Sequence, residues 1–108
     1  MKEIKIGYGE KEYTLAFTRD TVTKCEKMGF ILKELDEKPG TQIKLLFKGA
    51  FLAHHRFVQE QTINEIFDNL ENKDDVIGAL VEMYQDTLLT MISNTDEKPG
   101  NIKWEKNW

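Results

Sequence analysis

Two adjacent histidines, His54 and His55, and a single cysteine, Cys25, are the residues best equipped for chemistry in this chain of 108. Imidazoles can ligate a metal or move a proton, and a thiolate can attack an electrophile. Each of these roles depends on position. On a helix the side chains of adjacent residues diverge by about 100°, so His54 and His55 cannot readily share one metal. His54 projects between Ile43 and Phe47, where a neutral imidazole with one hydrogen-bonded nitrogen belongs in a core. His55 falls among lysines and is expected in solvent. A Cys25–His54 dyad would need both groups open to substrate, but Cys25 lies on the inward stripe of its own helix. The carboxylates Asp74, Asp75, Glu82 and Asp86 read as exposed helix positions, and the last two form a repulsive pair four residues apart. Gly7 and Gly9 lack the third glycine and helix start of a dinucleotide fingerprint, and no calcium loop is present. The residues therefore predict no catalytic group, no metal site and no cofactor, and hence a protein that is not an enzyme.

What these residues sit on is more informative. From Ile43 to Gln59 the chain reads IKLLFKGAFLAHHRFVQ. Placed on one helix, Ile43, Leu46, Phe47, Ala50, Phe51, Ala53, Phe57 and Val58 make a broad apolar arc suited to a core. Lys44, Lys48, His55 and Gln59 lie opposite. Leu45 and Leu52 sit beside that polar group, with Gly49 and Arg56 next along, as a second apolar strip that needs a cover. Another part of the same chain could supply it, or a second subunit or client could. Leu45, Gly49, Leu52 and Arg56 are therefore candidate protein-binding residues. Glycine allows close backbone approach, and the leucines would fill a groove for an amphipathic helix.

The remaining elements follow from periodicity. Ile4 and Ile6 alternate with charged residues, Gly7 to Lys11 carries turn residues, and Tyr13, Leu15 and Phe17 resume the period of two, which is a β-hairpin signature. A lone hairpin is marginally stable and must pack on the helices, and its exposed edge invites pairing with another chain. Thr18 or Asp20 can cap a helix to about Met28, with Val22, Cys25 and Met28 inward and Gly29 as its stop. Asp36 to Gly40 breaks the chain, and Thr41 can cap the long helix. Thr62 and Glu65 fit a capping box for a short helix carrying Ile63, Ile66, Phe67 and Leu70. Asn72 and Asp75 mark the start of the last helix, whose apolar residues run from Val76 to about Ile92. Asp96 to Gly100 repeats residues 36–40 word for word, but the flanks differ and no duplication is read into it. Trp104 and Trp108 are costly to leave in water. They either fold back on the domain or form a short motif that docks on a partner, with spacing suited to one face of an extended strand or one helical turn.

Composition narrows the function classes. Residues 60–97 carry ten Asp/Glu against Lys73 alone, whereas residues 1–54 carry ten Lys/Arg against eight Asp/Glu. A nucleic-acid binder concentrates positive charge on one face, so DNA or RNA is not the expected partner. The acidic half is a solvated face, or an electrostatic mate for the mildly basic half of a second copy. No apolar run approaches the roughly 20 residues of a membrane span, and the opening residues alternate where a signal peptide would have an apolar block. One cysteine allows no intrachain disulfide. A cytoplasmic protein that binds other protein is the expectation.

The opening IKIGYGEKEYTLAFTRDTVTKCEKMGF, the central LFKGAFLAHHRF and the closing NIKWEKNW resemble a family of small tail assembly chaperones from long-tailed phages and prophages of Gram-positive bacteria. The resemblance covers nearly the whole chain. It implies a protein of the bacterial host cytoplasm, absent from the mature virion, that coats the tape measure protein until tail tube subunits polymerise around it. The major tail protein is a further partner on this reading, and self-association is expected. Two alternatives remain: a structural tail or head-tail connector protein, and a regulatory protein-binding module of a mobile element. The predicted fold is α+β, an N-terminal β-hairpin packed on a mostly helical body of about four helices. Residues 1–94 are expected to form the domain and 95–108 a flexible C-terminal tail bearing Trp104 and Trp108.

Overall fold

A computed structural model describes residues 2–93 and 100–108. Strands β1 (Ile4–Tyr8) and β2 (Lys11–Leu15) are followed by α1 (Arg19–Lys27), a 3-10 turn (Leu32–Glu34), α2 (Pro39–Phe51), α3 (Glu60–Asp68) and α4 (Lys73–Ile92). The hairpin and the four helices are those the periodicity predicts. The expected boundary between residues 94 and 95, and most of the repeated Asp96 to Gly100 segment, lie outside the described residues.

β1 and β2 pair antiparallel, with Ile4 opposite Leu15, Ile6 opposite Tyr13 and Tyr8 opposite Lys11. Gly9, at φ 64°, turns the chain in a conformation that disfavours a Cβ. Alternation places Ile6, Tyr13 and Leu15 inward, where they join Phe17, Val22, Cys25, Phe30, Leu46, Phe47, Ala50, Phe51, Ile63, Ile66, Leu80, Met83 and Tyr84 in one core. α2 is central, packing against β2, α1, α3 and α4.

The helix ends report which local signals were sufficient. Thr18 caps α1 through a reciprocal box with Thr21, and Gly29 stops it at φ 103°. α2 starts earlier than Thr41 suggests: Lys38 is the N-cap and Pro39 opens the helix, with no side-chain cap. The Thr62–Glu65 box does not form either. Gln59 precedes α3 with no side-chain cap, and Glu65 instead accepts hydrogen bonds from Tyr8 and Gln61. The pair Glu82 and Asp86 is exposed as expected, but its repulsion is offset by Lys2, whose Nζ lies 2.6 Å from Asp86 and 3.5 Å from Glu82.

The largest departure is in α2 itself. The predicted helix to Gln59 ends at Phe51, and residues 52–54 and 56–57 form turns. The amide of Leu52 bonds the carbonyl of Gly49, and those of His54 and His55 both bond that of Phe51. No glycine or proline causes the break. It is favoured by a tertiary bond: His55 Nε2 accepts the Thr14 amide at 2.9 Å, which a continued helix would carry away from β2. Ala16 on the same edge donates to the Ala50 carbonyl at 3.0 Å. The end of α2 thus caps the outer edge of β2.

Candidate protein-binding surface

Ending α2 early exchanges the expected positions of the two histidines. His55 is half-buried, edge-on to Tyr13 with ring centroids 5.1 Å apart, and holds the hairpin. His54, expected in the core, is exposed, its Nε2 3.5 Å from a Glu3 carboxylate oxygen. Phe57, expected in the core arc, is 93% exposed. Val58 beside it turns back to pack on the core.

The strip of Leu45, Gly49 and Leu52 has a different fate along its length. Gly49 is buried, and a Cβ built on it would overlap Sγ of Cys25 in α1. Leu45 is half-buried, its Cδ1 approaching Gly29. Of the two covers open to this strip, the chain itself supplies the one at Gly49, through Cys25 of α1, and at Leu45, beside Gly29 just after α1. Leu52 is half-buried at the C-cap, and Arg56 is exposed. The structure does not gather the sequence-selected residues into one groove: Leu45 and Gly49 are under α1, Arg56 is on the loop after α2, and Trp104 and Trp108 are far along the chain.

Arg56 and Phe57 lie together, the guanidinium carbon 6.0 Å from the ring centroid. They border an open concavity of about 640 Å³ lined also by Lys11, Tyr13, His55, Val58 and Thr62. Lys11 and Arg56 give this rim two cations, beside the carboxylate of Glu12. An aromatic anchor beside an arginine at a shallow depression is the composition of a protein-docking surface. Phe57 escapes a reading of the sequence because its apolar type fits the helical arc.

The second exposed apolar place is the segment 100–108. Trp104 is 83% and Trp108 92% exposed, so the fold-back onto the domain is not realised. Lys106 Nζ lies 4.5 Å from the Trp108 ring.

Burial pushes the Cys25 thiol up to about 12 and the Tyr84 hydroxyl also to about 12, so neither ionises near neutrality. Tyr8 is raised by its hydrogen bond to Glu65 and Lys2 by its bond to Asp86, both on the surface. Among the described residues no group of His, Cys, Asp and Glu could hold a metal ion, and no helix is long and apolar enough to cross a membrane.

A family model described as "Domain of unknown function (DUF5055)" matches residues 1–108. No curated protein and no solved structure matches the chain.

Proposed function

The chain belongs to the DUF5055 family, and we propose that it acts as a phage or prophage tail assembly chaperone, binding the tape measure protein and keeping it soluble during tail morphogenesis. The observation that carries the reading is the 93% exposure of Phe57 beside Arg56, at a concavity walled by the hairpin and the start of α3. A large aromatic held in water by a folded loop is suited to an apolar client. The resemblance of the opening, central and closing segments supplies the identity of that client. Leu52 and Val58 flank the loop, while Leu45 and Gly49 act from beneath as the support that α1 packs on.

On this reading the protein works in the host cytoplasm, is absent from the finished virion, and passes its client to the major tail protein. Many weakly bound copies along one client give high avidity. The acidic faces of α3 and α4 keep the coated client apart from its neighbours by like charge.

The test is co-expression with the tape measure protein of the same element, comparing wild type with Phe57→Ser. Soluble complex recovered with wild type and lost with the variant supports the reading. A tape measure protein that stays insoluble and unbound beside folded wild type overturns it, and a virion component or a regulatory module then takes its place.

A further inference from the structure

The hairpin has one capped edge and one open edge. Thr14 and Ala16 direct their amides outward from β2, to His55 and to Ala50. Their direction fixes the other edge, because in an antiparallel pair the partners of outward-facing residues also face outward. Thr14 pairs with Lys5, and Glu12 with Gly7, so Lys5 and Gly7 of β1 direct their N–H and C=O groups away from β2. Among the described residues no backbone or side-chain hydrogen bond reaches them, and both residues are exposed. Such an edge is a template for one more strand.

The chain carries a segment patterned as that strand. From Asn101 the sequence NIKWEKNW alternates, with Ile102, Trp104, Lys106 and Trp108 on one side and Lys103 and Glu105 on the other. Ile102, Trp104 and Trp108 are all strongly exposed, at 88%, 83% and 92%. We propose that residues 101–108 of one copy add to the β1 edge of a second copy, antiparallel, with Glu105 opposite Lys5. This register sets Trp104 beside the buried Ile6 and Ile102 beside the half-buried Tyr8, extending the inner face of the sheet. Glu105 meets Lys5 as an opposite-charge cross-strand pair. Lys106 falls on the side where Lys2 already meets Glu82 and Asp86. Shifted by one residue, the tryptophans would face the outer side of the sheet. Shifted by two, with Ile102 opposite Ile4, Lys5 would face Asn101 and lose its counter-charge.

A second copy is the occupant that the geometry favours over the chain's own tail. The open end of β1 lies at α4, through Lys2 and Asp86, while its tip lies at α3, through Tyr8 and Glu65. Lys2 and Tyr8 are six residue steps apart, about 20 Å along extended chain. The tail follows the far end of α4, so to pair antiparallel with its own β1 it must pass the hairpin tip and run back. A neighbour's tail enters from the tip without that detour. Each copy offers one tail and one edge, so a reciprocal exchange closes a two-fold dimer and leaves no β1 edge open.

This proposal is independent of the client reading, which rests on Phe57. Its test is sedimentation equilibrium of the full chain with charge exchange. Wild type is expected to dimerise, and Lys5→Glu or Glu105→Lys alone to raise the dimer dissociation constant roughly tenfold, since each pair occurs twice per dimer. Lys5→Glu combined with Glu105→Lys restores it to within about threefold of wild type. Trp104→Ser, whose side chain is exposed in the single chain, yields folded monomer by circular dichroism. A wild type that stays monomeric overturns the proposal, whether or not the β1 amides are protected by the chain's own tail. So does a dimer that both single charge reversals leave intact.

Discussion

Gly49 of α2 lies so close to Cys25 of α1 that a methyl group in place of its hydrogen would overlap the sulfur. Alanine in a helix is normally favoured over glycine by about 1 kcal/mol. Here overpacking against a fully buried sulfur opposes that gain, at about 1–3 kcal/mol, so Gly49→Ala is expected to destabilise the fold. Cys25→Ala alone leaves a small void and also destabilises. Together the two changes are compensatory, because the new methyl fills space the sulfur has left and Cys25 Cβ lies at an ordinary 3.7 Å. Urea unfolding of the four-member cycle should show the double variant more stable than the sum of the singles predicts.

The histidine pair provides the next expectation. His55→Ala leaves the Thr14 amide without its acceptor and Tyr13 without its edge-on neighbour, and should cost about 1–2 kcal/mol. His54→Ala removes an exposed ring and should change stability by less than about 0.5 kcal/mol. Equal effects of the two substitutions in urea melts would contradict the way α2 ends.

That reversal shows where local patterning stops being informative. Alternation at Ile4, Ile6, Tyr13 and Leu15 and the helical spacing of Val76 to Leu88 define elements whose inner faces pack on the core, whereas Met91 and Ile92 at the end of α4, expected on the same face, are exposed. Each has a period that one buried face can satisfy. The stretch after Phe51 has apolar residues at helical spacing too, but its backbone turns, and the turn places His55 to accept the amide of Thr14, 41 positions before it. No window of sequence contains both partners. Gly49 was legible as a close-approach residue, whereas the element that approaches it was not. Phe57 was hidden for the same reason as the histidines: residue type argues for burial only while the helix continues.

Gln42 is a second long-range partner that the sequence conceals. It is 3% exposed, its side-chain carbonyl accepts the Ile31 amide at 2.7 Å, and its amide reaches the Gly29 carbonyl at 3.5 Å. It ties the connector after α1 to the first turn of α2. Gln42→Leu preserves approximate volume but strands a part-buried N–H, and should cost about 1–3 kcal/mol. Hydrogen exchange at Ile31 should quicken in the variant more than at amides of the α4 core.

The Cys25 thiol gives stability a dependence on alkaline pH. Its folded value of about 12 stands above the ordinary 9.0, so above pH 9 the unfolded chain releases a proton that the folded chain retains. The contribution is fully present below pH 9 and is lost as pH rises toward 12. Wild type should therefore lose roughly 1–2 kcal/mol more than Cys25→Ala between pH 8 and 10.5. The same burial predicts that a thiol reagent at pH 8 labels the native protein slowly and the urea-unfolded protein at once. Fast labelling of the native state would mean that α1 separates from α2 far more often than a core contact allows.

Phe57 separates binding from folding. Because its ring is almost wholly in solvent, Phe57→Ser should leave the urea midpoint unchanged within the effect of an ordinary surface substitution, about 0.5 kcal/mol. If the ring is the anchor for the tape measure protein, the same change should weaken capture by about tenfold or more, the range of a central aromatic contact. Leu45→Asp should behave oppositely, placing a carboxylate against Gly29 and the core and lowering stability and capture together. Arg56→Ala should lie between them, folded and partly impaired, since its guanidinium adjoins the ring at 6.0 Å and one rim cation, Lys11, remains. Capture that survives Phe57→Ser but fails in Trp104→Ser would move the client site from the loop to the tail. It would also set client and second copy in competition for residues 101–108, which a rise in monomer fraction on adding client would reveal.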